Sequence, residues 1–80
     1  MTLGKAFSIR LRALLKERNM SLHKFAIDAC IPRSTLVNIE KGNTKSPTLA
    51  LIYQVCNAFN ITPIQFLDDP IFKRDDIDFY

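Results

Sequence analysis

Apolar residues recur at intervals of three and four along most of this chain, and each such stretch is short. That spacing places the apolar side chains on one face of an α-helix, and no stretch shows the strict alternation that is typical of a strand. The stretches are separated by Asn19, Pro32, Gly42, Pro47 and Asn60. Asparagine and glycine tolerate the left-handed backbone that ends helices, and proline lacks an amide hydrogen. The sequence therefore predicts an all-α fold of several short helices.

Five helices follow from this pattern. Ser21 is the predicted N-cap of the second helix, and Ser46 or Thr48 is the predicted cap of the fourth. Thr62 and Gln65 have the spacing of a capping box, with a proline between them at the first helical position, which predicts a short fifth helix. The predicted bounds are about 5–18, 22–29, 32–41, 48–59 and 63–67.

The length of the chain, 80 residues, suits one domain with one hydrophobic core. Hydrophobic residues make up 48% and charged residues 24%, as in ordinary globular proteins. No apolar run approaches the ~20 residues of a membrane-spanning helix, and the first residues lack the apolar stretch and cleavage site of a signal peptide. We therefore expect a soluble cytoplasmic protein that does not bind membranes.

The residues that usually carry catalysis or bind metals form no recognisable set. Cys30 and Cys56 are far apart, no Cys-x-x-Cys pair occurs, and His23 is the one histidine. Both cysteines lie within apolar patterns, so we expect each to be a free, buried, small hydrophobic residue. The sequence predicts no catalytic residue, no metal site and no cofactor, and therefore a protein that is not an enzyme.

Charge is divided unevenly along the chain. Residues 1–67 contain nine lysines and arginines against three acids, a net charge of +6, whereas residues 68–80 have a net charge of −3. A basic body is suited to a polyanionic partner such as nucleic acid. The acidic segment also contains apolar residues, so we expect it to dock on a surface. Three roles stay open for it: packing on its own domain, completing a dimer, or competing with DNA for the basic surface.

The region from residue 20 to residue 67 has a specific order: a capped helix, a tight turn, a second short helix with a polar outer face, and a basic loop. Its segments Met20–Ala26, Ile31–Leu36, Ile39–Gly42 and Asn43–Pro47 resemble the Cro/repressor-type family, also called the XRE family, and the likeness covers about residues 5–67. The resemblance implies a compact five-helix bundle of the lambda-repressor-like type, in which helices 2 and 3 form a helix-turn-helix. It also implies a DNA-binding domain over residues 1–67, followed by an acidic and apolar C-terminal tail over residues 68–80.

The resemblance assigns contacts with DNA bases to Arg33, Ser34 and Asn38, on a third helix that enters the major groove. Their chemistry agrees, because arginine pairs with guanine, asparagine pairs with adenine, and serine serves either base. Hydroxyl, amide and ammonium groups hold phosphates and set the register on the duplex. The resemblance gives that backbone-contacting role to Ser21, Thr35, Lys41, Asn43, Thr44 and Lys45.

Three positions depart from the pattern of the family. Leu22 stands where many relatives have a glutamine that binds a phosphate, which leucine cannot replace by hydrogen bonding. Cys30 occupies a turn position where relatives often have glycine, so the turn is expected to carry backbone strain or to adopt another geometry. Relatives often pair the position of Glu40 with an arginine in the first helix, but ungapped alignment places Leu15 there. Glu40 is therefore expected to be solvated or paired elsewhere.

The resemblance implies a sequence-specific transcriptional regulator that binds double-stranded DNA. Repression by occupying a promoter is the usual mechanism of the family, and a dimer on a palindromic site is expected because one such domain buries little DNA surface. The alternative is an antitoxin-like or antirepressor-like module, which uses the same fold to bind a protein partner through the C-terminal tail. Leu22 and the apolar acidic tail are the features that favour the alternative.

Overall fold

The computed structural model describes residues 1–44 and 46–78, which form five α-helices and a final 3₁₀ helix. The helices are α1 (Leu3–Glu17), α2 (Leu22–Ala29), α3 (Arg33–Glu40), α4 (Leu49–Phe59) and α5 (Pro63–Leu67), and the 3₁₀ helix is Pro70–Lys73. The described residues contain no strand, although an isolated parallel bridge joins Thr2 and Asp78. The predicted all-α fold with five helices is confirmed. No helix in the described ranges is long and apolar enough to cross a membrane.

Four of the five helices begin at a hydroxyl side chain. Thr2, Ser21, Thr48 and Thr62 each accept a hydrogen bond from the backbone N–H three residues further on, at 3.1 Å. Such caps satisfy backbone donors that have no partner inside the helix. Helix α4 is therefore capped by Thr48 rather than by Ser46. The unpredicted cap at Thr2 explains why α1 begins at Leu3, ahead of the predicted Lys5.

The other helix bounds agree with the predictions to within a residue. Helix α3 is slightly shorter than predicted, because Pro32 and Lys41 are its flanking caps and are not part of the helix itself. At the start of α5 the predicted capping box is confirmed: Gln65 accepts a hydrogen bond from the backbone N–H of Thr62 at 2.8 Å, and Thr62 caps Gln65 in return.

Aromatic side chains from four helices make up much of the hydrophobic core. Phe25 of α2 stacks on Phe59 of α4 with ring centroids 4.4 Å apart, and Phe7 of α1 lies 5.6 Å from Phe66 of α5. All four rings are almost completely buried. Such pairs add attraction beyond the burial of apolar area. The core thus joins α2 to α4 and α1 to α5, and α3 is bound to this assembly by its own apolar side chains.

Three helices end in a left-handed backbone conformation at a residue other than glycine. These residues are Asn19, Cys30 and Asn60, with φ angles of 54°, 56° and 58°. Asparagine tolerates this conformation, as predicted for Asn19, whereas cysteine does not favour it. Cys30 is also exposed, so the prediction that it is a buried hydrophobic residue is wrong. Its position at the end of α2 directs it outward, while Cys56 is buried as predicted, and burial raises the pKa of its thiol.

Arg10 of α1 is a structural residue whose side chain is held by groups of α5 and of the tail. Its side chain is 16% exposed. Its Nε donates to the carbonyl oxygen of Phe66 at 2.8 Å, its Nη2 donates to that of Gln65 at 3.1 Å, and its Nη1 contacts Asp69 Oδ2 at 3.3 Å. These carbonyls lie at the end of α5, where a cation satisfies unpaired acceptors. Arg10 thereby connects α1 to α5 and to the start of the tail.

The described part of the C-terminal tail packs on its own domain. Phe72 of the 3₁₀ helix lies 5.9 Å from Phe66 and packs against the core. Further along, the Leu3 N–H donates to the carbonyl of Asp78 at 3.0 Å, and the Asp78 N–H donates to the carbonyl of Met1 at 2.8 Å. Among the three roles left open by the sequence, the structure shows the first. Phe79 and Tyr80 lie outside the described residues.

Replacing Cys30 with glycine is expected to stabilise the fold. The exposed cysteine loses little packing, and relief of the left-handed strain outweighs the extra freedom of glycine in the unfolded chain by about 0.5–1 kcal/mol. Denaturant unfolding of Cys30→Gly measures the gain. Asn60→Gly is the matched control with a smaller expected gain, because asparagine already tolerates φ of 58°. Equal gains at both sites would show that strain at Cys30 is not the cause.

Candidate nucleic-acid interface

Helices α2 and α3 are joined by a tight turn whose backbone is held by hydrogen bonds. The Cys30 N–H donates to the carbonyl of Ile27 at 3.2 Å, and the Ile31 N–H donates to that of Ala26 at 3.0 Å. These bonds, with Cys30 in the left-handed region, form a common helix ending. Ile31 is buried, and Pro32 is the N-cap residue that precedes α3. The two helices and this turn form the predicted helix-turn-helix.

Helix α3 is attached to the core by one edge and exposes the opposite one. Its buried side chains are Leu36 and Ile39. Arg33, Ser34 and Asn38, which the sequence predicts to contact bases, are all exposed. They belong to one short helix, and no apolar neighbour covers them. The structure therefore places the three polar side chains where a groove of DNA can be reached, and their contacts with bases remain a prediction.

The described residues among those predicted to contact the DNA backbone lie in three places. Ser21 is at the start of α2, where its hydroxyl caps the helix. Lys41, Asn43 and Thr44 are exposed and lie together at the end of α3. Thr35 is half-buried and borders a groove between α3 and α4.

The loop after α3 folds back onto that helix. The backbone N–H groups of Asn43 and Thr44 both donate to the carbonyl of Asn38, at 2.9 and 3.3 Å. The loop residues are therefore held beside the exposed side of α3. Lys45, the cation predicted to contribute most to phosphate binding, lies outside the described residues.

An ion pair connects α1 to α3, so Glu40 is paired, with a residue other than the one that the alignment offered. Arg12 donates two parallel hydrogen bonds to Glu40: Nη2 is 2.9 Å from Oε1, and Nε contacts Oε2. The hydrogen bond from Arg12 lowers the pKa of Glu40 and raises the pKa of Arg12. Ungapped alignment offered only Leu15 as the partner in α1, but Leu15 is buried. Arg12 lies almost one turn earlier, on the exposed side, so the partner is on the expected helix at another position.

Leu22 is a core residue in this chain. It is buried at the start of α2 and belongs to the same apolar cluster as Phe25 and Ala26. Its side chain is therefore directed into the core, and burial of a leucine contributes about 1.5–3 kcal/mol to stability. The departure from the pattern of the family exchanges one polar anchor for packing. Ser21 remains the polar side chain at this helix start.

The comparison with protein families agrees with the geometry. The sequence matches the helix-turn-helix family HTH_3 over residues 11–67, which is more than half of the chain. The chain belongs to this family, and the resemblance to Cro/repressor-type (XRE) domains is confirmed. No curated protein matches the sequence.

Solved structures share the fold over most of the chain. The crystal structure of the prophage Lp1 protein 11 has a TM-score of 0.83 at 28% identity and covers 92% of this chain and 97% of its own. An HTH_3 family transcriptional regulator from Vibrio cholerae has a TM-score of 0.72 at 26% identity, over 85% of this chain but 38% of the regulator. SinR, in its complex with SinI, has a TM-score of 0.67 at 23% identity over 92% of this chain and 68% of its own, which shows a shared fold. The family and the HTH_3 regulator support a DNA-binding transcriptional regulator.

Replacing Glu40 with glutamine is expected to remove a pH-dependent contribution to stability. The folded-state pKa of Glu40 is lowered, so the ion pair stabilises the fold above the carboxyl's unfolded pKa, and this contribution is lost as the pH falls through the folded pKa. Because both side chains are partly exposed, the contribution is at most about 1 kcal/mol. Unfolding of wild type and Glu40→Gln at pH 7 and at pH 3 measures it. We expect a difference at pH 7 that becomes smaller at pH 3, and an equal difference at both values would contradict the assignment.

Proposed function

We propose that this protein is a transcriptional repressor that binds double-stranded DNA and reads the major groove with α3. The observation that carries the proposal is the exposed row of Arg33, Ser34 and Asn38 on a helix whose other side is fixed to the core. Arginine and asparagine offer the bidentate hydrogen bonds that distinguish guanine and adenine. In this proposal Ser21, Lys41 and Thr44 contact phosphates and set the register of α3.

The charge distribution supports DNA as the partner. The net charge of +6 over residues 1–67 attracts a polyanion, and release of counterions from the DNA then drives binding. Three acids of the tail form ion pairs with cations: Asp69 with Arg10, Asp68 with Lys73, and Asp76 with Arg74. Since the described tail packs against α1, its acids have partners away from α3. This arrangement favours a structural role for the tail over competition with DNA.

The alternative function, a module that binds a protein partner in the manner of an antitoxin or antirepressor, has less support. Leu22 and the apolar tail were its two arguments from the sequence. Leu22 is a core residue, and the apolar side chains Ile71, Phe72 and Ile77 of the tail are partly buried. Packing within the domain therefore accounts for both features. We propose a regulator that acts on DNA in the cytoplasm without catalysis and represses by occupying its site.

A homodimer is part of the proposal, and the surface of α4 and α5 is suited to form it. Residues 46–67 contain no charged side chain, although the chain as a whole is 24% charged. Leu49, Tyr53 and Ile64 of this stretch are 69%, 51% and 81% exposed. Tyr53 and Pro63 line one groove, which connects the outer side of α4 to the start of α5. Two basic copies repel each other least across an uncharged face, so a second copy is the occupant that fits.

Binding to DNA tests the proposed function directly. Selection from a randomised duplex pool is expected to enrich a palindrome, and affinity for it should fall steeply with salt. Arg33→Ala and Asn38→Ala should each weaken specific binding by about 5- to 150-fold, the range for one bidentate base contact, with little effect on other sequences. Lys73→Ala, in the tail, is the control cation. If the folded wild type enriches no sequence, the search moves to protein partners.

Charge introduced at Ile64 is expected to weaken the homodimer. The side chain is 81% exposed, so Ile64→Glu should change the stability of the monomer by no more than ~0.5 kcal/mol. By two-fold symmetry the substitution enters the interface twice, and the dissociation constant of the dimer should rise about tenfold or more. Sedimentation equilibrium measures that constant. Ile27→Glu, at a 61% exposed isoleucine of α2, is the control, and an equal effect of both changes would exclude this surface.

A further inference from the structure

The side chain of Asn38 on α3 is held by the loop that follows the helix. Asn43 Nδ2 donates to Asn38 Oδ1 at 3.3 Å. The same two residues are joined through the backbone, since the Asn43 N–H donates to the carbonyl of Asn38 at 2.9 Å. Asn43 therefore contacts Asn38 at two points, and both residues are exposed on the side of the domain assigned to DNA.

Gly42 makes this arrangement possible. Its φ of +86° reverses the chain directly after α3, and its N–H donates to the carbonyl of Ile39 at 3.1 Å. A side chain at this position would meet nothing within 4 Å, so conformation and not space requires glycine here. The reversal returns the loop along α3 and places Asn43 beside Asn38.

The orientation of the Asn38 amide decides which base it recognises. Adenine offers an N6 donor and an N7 acceptor, so the amide must present its oxygen to one and its nitrogen to the other. A free side-chain amide adopts two orientations that exchange these atoms. In the arrangement that the structure shows, the hydrogen bond from Asn43 uses one lone pair of Oδ1 and holds that oxygen towards the loop. One lone pair of Oδ1 and both protons of Nδ2 remain available to a base.

We propose that Asn43 is a specificity-determining residue that acts through Asn38: it orients the Asn38 amide and so selects adenine at one position of each half-site. This inference rests on the proposed function, because it requires Asn38 to read a base. It changes the role given to Asn43 by the sequence, which was a contact with the DNA backbone. The two roles differ in effect, since a backbone contact strengthens binding to every sequence and an orienting contact strengthens binding to one base.

The test compares base preference, not affinity alone, in three variants. The base pair read by Asn38 is located first, as the position at which Asn38→Ala has no base preference. Binding constants are then measured for the selected site and for the three sites that have another base pair at that position. We expect Asn43→Ala to reduce the preference for adenine about 3- to 10-fold, as for the loss of one neutral hydrogen bond. Affinity for unrelated DNA and the dependence on salt should be unchanged.

Asn43→Asp makes the test sharper. A carboxylate accepts hydrogen bonds and cannot donate them, so Asn38 must turn Nδ2 towards it, which reverses the amide. The adenine preference is expected to fall further than in Asn43→Ala. Thr44→Asp is the matched control, because it adds the same charge at the next exposed residue. Thr44→Asp should weaken binding to all four sites equally.

Each outcome separates the inference from the proposed function. Loss of adenine preference in both Asn43 variants, with an unchanged preference in Thr44→Asp, supports the orienting role. Equal weakening on all four sites in Asn43→Ala, or no change, overturns the inference and leaves the DNA-reading function intact. A folded wild type that selects no sequence overturns the proposed function and this inference with it. Circular dichroism of every variant confirms that the helices are retained.

Discussion

The position of α3 depends on the rest of the domain, because a helix of this length is not stable by itself. It has eight residues, and two of its side chains, Leu36 and Ile39, are buried. Isolated helices shorter than ~12 residues are marginal in water, so packing must supply the stability of α3. The turn after α2 holds its start, and Arg12 of α1 contacts Glu40 at its end. The side of α3 away from these contacts is exposed and carries Arg33, Ser34 and Asn38.

Backbone conformation at the helix ends has a functional consequence in this fold. Cys30 ends α2 in a left-handed conformation and so determines the angle at which α3 leaves it. Gly42 ends the next helix by a similar reversal and returns the loop to Asn38. The first reversal carries strain because its residue has a side chain, and the second does not. The two reversals lie at opposite ends of α3, so together they position this helix and the loop that follows it.

The tail and the core depend on one arginine. Arg10 satisfies carbonyl groups at the end of α5 and pairs with Asp69, where the tail begins. Beyond that point Phe72 extends the aromatic cluster around Phe66. A charged side chain that is 16% exposed requires such partners, because an unpaired buried charge is costly. The acidic tail therefore completes the surface of α1 and α5.

Local features determined much of this structure from the sequence alone. Interactions within one or two helical turns determine the helix bounds, the caps at Ser21 and Thr62 and the burial of Cys56. Such features can be predicted from the order of residues in the sequence. The identity of the candidate site also followed from the sequence, through the motif around Arg33 and Asn38. Only the tertiary structure revealed the roles of Arg10 and Arg12, the packing of the tail and the contact between Asn43 and Asn38. The roles of the two arginines and the packing of the tail depend on which elements face each other, and hydrogen bonds between distant residues leave no periodic pattern in a sequence. The contact between Asn43 and Asn38 depends on the backbone reversal at Gly42.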